Sequence, residues 1–141
     1  MKRYFLAILS LVMSVAMVAQ VSPETLAKRN KRKNLTVKEW NTSQSSKTRW
    51  LDNQRTYDDQ GRKIEEIEYA SYGMKWRKVY QYDDATGLLV REIEYNDRNK
   101  PICIRKYEYN TDGTKKKQYN YSPNGKLETV KIFEYIFYDS K

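Results

Sequence analysis

KVYQYDDATG, residues 78–87, is the stretch that decides the fold. Lys78, Tyr80 and Tyr82 alternate with Val79 and Gln81, and Asp83-Asp84-Ala85-Thr86-Gly87 follows at once. A period of two with β-favouring residues reads as a strand, and the Asp–Gly cluster behind it reads as a turn. The unit recurs as EEIEY (65–69), REIEY (91–95), RKYEY (105–109), KQYNY (117–121) and KIFEY (131–135). Its closing tyrosines, Tyr69, Tyr82, Tyr95, Tyr109, Tyr121 and Tyr135, are 13, 13, 14, 12 and 14 residues apart, and Tyr57 ends a degenerate first copy. Apolar residues do not recur at three and four, so a helical reading fails.

The turns explain the rest of each copy. Asp, Asn and Ser side chains bond their own turn backbone, and all five glycines, at 61, 73, 87, 113 and 125, fall in these connections. Between Tyr95 and Pro101 glycine is missing, and Asn99 is the residue able to take its left-handed conformation. The spacing predicts strands over 47–57, 62–69, 74–82, 88–95, 101–109, 114–121 and 126–138. Short loops between them imply an all-β fold: a single antiparallel meander of about seven strands, strongly twisted and partly curled. One face is expected to hold the tyrosines, with a mixed face opposite. The last strand, rich in Ile132, Phe133, Tyr135, Ile136, Phe137 and Tyr138, is the most apolar and is expected to be well covered.

Upstream lie two segments of different character. Residues 1–20 have a positive start, an apolar run and a small residue near the end, which predicts a secretory signal peptide and no stable membrane insertion after its cleavage. Residues 21–46 form a basic lead-in, partly helical or disordered, before the β-repeat domain of 47–141. The net charge of +9 is uneven: residues 21–50 hold eight basic and two acidic side chains, whereas residues 51–141 hold 17 and 16. Lys28, Arg29, Lys31, Arg32 and Lys33 are therefore the candidate contacts for an acidic partner.

Chemistry is scarce. With no histidine and a single cysteine, Cys103, the Cys–His nucleophile pair and the Cys/His zinc site are excluded, and no disulfide can close within the chain. Cys103, between Ile102 and Ile104, is expected to be buried as a small hydrophobe. Carboxylate pairs such as Glu66/Glu92 or Glu94/Glu108 read as a solvated face rather than as acid–base machinery. No enzyme activity, cofactor or metal is expected, and no glycine remains for a phosphate loop. The nearly neutral sheet region argues against nucleic acid. Trp76, Tyr80, Tyr82, Tyr107 and Tyr109 form the candidate ligand surface.

The phrases YQYDDATG (80–87), YEYNTDG (107–113) and DDQGR (58–62) resemble the tyrosine–aspartate repeats of RHS-type surface and toxin-shell proteins. That resemblance covers residues 57–138 and implies extended, curving β-sheet, although the spacing differs from the usual 20 or so residues. The leader ending in Ala19-Gln20 resembles small secreted proteins of Bacteroides-type bacteria, which implies an envelope location. Together these readings predict a secreted or periplasmic, non-enzymatic module that binds an envelope protein or glycan. The alternative is an assembly protein that recruits a protein partner through a free sheet edge.

Overall fold

A computed structural model describes residues 18–45 and 47–139. Most of the expected signal peptide, residues 1–17, lies outside the described residues. The chain folds as helix α1 (Pro23–Asn30) followed by strands β1 (Thr36–Thr42), β2 (Arg49–Tyr57), β3 (Lys63–Ala70), β4 (Gly73–Tyr82), β5 (Leu89–Tyr95), β6 (Pro101–Tyr109), β7 (Lys115–Tyr121) and β8 (Leu127–Ile132). The strands form one open antiparallel sheet in simple sequence order. There are eight strands rather than seven because Thr36–Thr42, placed in the lead-in by composition, pairs along β2.

Each turn is built as its residues dictate. Asp58 Oδ1 accepts from the backbone N–H of Gln60 and Arg62, Asp83 Oδ1 from Ala85 and Thr86, and Asn96 Oδ1 from Arg98 and Lys100. Asn99 adopts φ of 57°, filling the place that glycine takes in the other turns.

A regular bulge governs the two faces. In β4–β5, Tyr82 lies opposite Leu89 but Gln81 lies opposite Arg91, so Val90 is one residue too many. The same shift occurs at the closing tyrosine of every hairpin from β2 to β8, with Ile64, Lys75, Ile102, Lys116 and Glu128 as the other extra residues. Facing residues share a side of the sheet, and one inserted residue reverses that side for everything after it. Tyr57, Tyr82 and Tyr109 therefore lie on one face, called A, and Tyr69, Tyr95 and Tyr121 on the other, called B. The expected single tyrosine face is corrected accordingly: the tyrosines alternate faces, and the structural repeat is the hairpin.

The sheet has almost no interior. Leu88 and Glu92, each at 9% exposure, are the only hydrophobic and charged side chains that reach the buried range among the described residues. Neighbouring strands are held instead by their ladder and by cross-strand pairs, each contributing about 0.2–1 kcal/mol. Face B carries the cross-strand row Val79, Ile93, Ile104 and Tyr121, with Ile67 diagonal to Val79, Arg77 over Tyr95 and Lys106 over Tyr121. Cys103 is only half-buried, because no second layer covers the sheet.

The expected long, covered final strand is also overturned. β8 ends at Ile132, and Ile132, Ile136 and Phe137 are 66%, 69% and 89% exposed. Pairing stops because β7 begins at Lys115, leaving residues beyond Phe133 without an opposing strand; the last bond runs from Phe133 N–H to the Lys116 carbonyl.

Candidate functional site

Helix α1 is a strap across one end of the sheet. Ser22 caps it, its hydroxyl accepting from the Thr25 N–H, and Pro23 opens it. No residue of α1 is buried, so it is held by specific contacts with the turns rather than by an apolar stripe. Val21 N–H donates to the Thr86 carbonyl, Arg29 Nη1 donates to the Gly87 carbonyl at 2.8 Å, and Asn34 N–H donates to the Asp58 carbonyl at 2.8 Å. The β2–β3, β4–β5 and β6–β7 turns all lie at this end. They hold Asp58, Asp59, Asp83, Asp84 and Asp112, so the basic lead-in docks against acidic turns of its own sheet.

This docking changes the reading of the basic run. Arg29 lies over the Tyr82 ring at 5.2 Å and Arg32 over Tyr57 at 5.5 Å, while Lys28 pairs with Glu24. Lys31 and Lys33 are exposed. The five candidates are thus divided between internal contacts and solvent.

The five candidate ligand residues do share face A, on β4 and β6, with β5 between them. All five are partly buried. The four tyrosine hydroxyls are all hydrogen-bonded, and cations lie over every ring of the five but that of Tyr109. Tyr80 donates to Glu66 at 3.1 Å and Tyr107 to Glu92 at 3.0 Å. Tyr82 donates to the Lys63 carbonyl and Tyr109 to the Leu89 carbonyl, at 2.9 and 2.6 Å. Tyr135 repeats the second latch on Lys115. Lys78 lies over Trp76, Lys63 over Tyr80 and Lys115 over Tyr107, 4.3 to 4.9 Å from each centroid.

The carboxylates interleave with these tyrosines without forming the pairs considered from sequence. Glu66 and Glu92 lie on β3 and β5, separated by β4, and Glu94 and Glu108 fall on opposite faces. Glu92 accepts from Arg105 Nη1 at 2.8 Å, and Arg105 also reaches Glu94 at 2.8 Å. Burial pushes the Glu66 carboxyl up, but hydrogen bonds from Lys63, Tyr80 and Asn53 outweigh it and hold the group below its usual range. Among the described residues no three His, Cys, Asp or Glu side chains converge on a possible metal position.

Burial pushes Tyr82 and Tyr109 up to about 12 and moves Tyr80 and Tyr107 upward as well. A phenol raised in the folded state contributes stability that is full below its unfolded value of 10.0 and is lost as pH climbs through the folded one. The protein should therefore lose thermal stability steeply between pH 10 and 12. Circular-dichroism melts of wild type and of Tyr82→Phe/Tyr109→Phe would check this. The double variant should start less stable by about 1 kcal/mol per latch and fall less steeply; identical slopes would remove the latches from the explanation.

Sequence reasoning missed Tyr57, Arg55 and Lys63, which lie beneath the strap. The available signal was the concentration of aspartates in every second turn, opposite a basic segment.

No family model matches the chain, and no curated protein matches it. Among solved structures, the chain is similar to one in the crystal structure of the GtfA/B complex bound to UDP and GlcNAc, at 19% identity and a TM-score of 0.31, covering 67% of this chain. It spans about a fifth, 19%, of that protein's length, and so loose a likeness carries no functional argument.

Proposed function

We propose that the chain is an exported, non-enzymatic module that recruits an envelope protein by strand addition at the free edge of β8. The direction of the β8 backbone carries this reading. Phe133 N–H bonds inward to Lys116, and alternation along an antiparallel ladder then turns the backbone groups of Thr129 and Lys131 toward β7. The N–H and C=O of Val130 and Ile132 point outward, with no neighbouring strand among the described residues to receive them. Around them Val130, Ile132, Ile136 and Phe137 are exposed, so an added strand would gain both hydrogen bonds and apolar contact. The opposite edge, β1, is less inviting because it is mostly polar, with Trp40 as the one exposed large hydrophobic residue of Thr36–Thr42. A glycan platform on the aromatic residues of face A is the weaker alternative, because the protein's own cations already lie over Trp76, Tyr80, Tyr82 and Tyr107.

Val130→Pro tests the edge directly. It deletes an outward N–H and leaves the β7 ladder intact, a substitution that edge strands tolerate. The mature protein, immobilised, should retain envelope protein that the variant does not, and amide exchange at Val130 and Ile132 should slow at least about tenfold in the complex. Equal retention by a folded Val130→Pro, or retention abolished only when glycans are degraded, would defeat the proposal.

A further inference from the structure

Beneath the last turn of α1 lies a hollow of about 340 Å³, between the helix and the β2–β4 part of face A. Its lining includes Lys28, Arg29, Arg32, Arg55 and Lys63, with the rings of Tyr57 and Tyr82, and contains no carboxylate. We propose that this hollow binds a phosphate-bearing small molecule of about monosaccharide size, independently of the β8 edge.

The argument begins with the charges left over. Three cations are satisfied by neighbours outside the hollow: Lys28 by Glu24, Arg55 by Glu39 and Lys63 by Glu66. Arg29 and Arg32 have no carboxylate partner among the described residues; Arg29 bonds a carbonyl, and Arg32 rests on a tyrosine ring. A guanidinium laid over a ring has its face occupied while its in-plane N–H donors remain available. The rings therefore hold Arg29 and Arg32 in place rather than use them up.

Arg55 lines the same space as a third guanidinium, its Nη2 already engaged by Glu39. Three arginines around one space present more donors than the two oxygens of a carboxylate satisfy, and a phosphate's additional oxygens suit them better. The volume is at the small end of ligand pockets, about 300–1,000 Å³, and leaves room for one ring beside the anion.

Titration calorimetry with glucose 6-phosphate, inorganic phosphate and glucose would test the inference. Arg32→Gln and Arg55→Gln remove donors from the hollow, and Lys131→Gln on β8 removes one positive charge far from it. Glucose 6-phosphate should bind, glucose should not, and inorganic phosphate should bind more weakly. Each arginine variant should weaken glucose 6-phosphate roughly tenfold, with Lys131→Gln unchanged. Arg32 is exposed, so its variant retains the fold should Arg55→Gln fail to do so. Absence of binding, an equal loss with Lys131→Gln, or phosphate binding as tightly as the phosphosugar would each overturn the proposal.

Discussion

Gly61→Ala should free the N-terminal strap from the sheet and destabilise the domain by about 2–4 kcal/mol. A Cβ at residue 61 would lie 1.8 Å from the carbonyl oxygen of Arg29 and 2.6 Å from its carbon, both main-chain atoms of the helix. No rotamer change relieves that clash; either the turn or α1 must move. The substitution also places alanine at φ of 73°, which costs about 1–2 kcal/mol by itself. Gly125→Ala separates the two effects, because Gly125 has φ of 88° and nothing within 4 Å of an added Cβ. The Gly125 variant should lose only the backbone strain. The Gly61 variant should lose more, and trypsin should cut it after Lys28, Arg29 or Lys31 at least about tenfold faster than wild type, since a detached strap exposes its backbone. Equal losses in stability and equal trypsin sensitivity in the two variants would mean that the strap is not held through this contact.

Much of the architecture is legible in the sequence, because strand and turn signals are local. Alternation places β2 to β7 within a residue or two at each end, and Asn99 is identifiable as the glycine substitute from the turn alone. What cannot be read locally is pairing. Ile64, Val90 and Ile102 look like ordinary strand residues, yet each is the extra residue of a bulge, and the face of every side chain after it depends on that fact. β1 has no closing tyrosine and was hidden by its polar composition. The strap was hidden for another reason: it is held by backbone bonds, by Arg29 on the Gly87 carbonyl and by arginines over Tyr57 and Tyr82, so no apolar pattern announces it.

A sheet without a covered interior concentrates its cost of disruption in the few places where charge is shielded, and Glu92 is the foremost of them. At 9% exposure it receives Tyr107 and Arg105 and lies 3.9 Å from Lys78, all on face A. Hydrogen bonds to a charged group contribute about 1.5–3 kcal/mol each, and removing one partner of a shielded pair costs about 3–5 kcal/mol. Arg105 keeps Glu94, so the expected loss for Glu92→Ala lies at the lower end, about 3 kcal/mol. Glu68→Ala breaks a pair with Lys75 whose partners are 33% and 52% exposed, and should cost less than about 1 kcal/mol. Urea unfolding of the two variants would measure the contrast, with added salt as a second axis. Salt should narrow the small Glu68 effect and leave the Glu92 effect almost intact, because the shielded network is poorly screened. Were Glu92→Ala no worse than Glu68→Ala, stability would have to be spread evenly along the ladder, and the tyrosine–carboxylate pairs of β3–β4 and β5–β6 would be incidental to the fold.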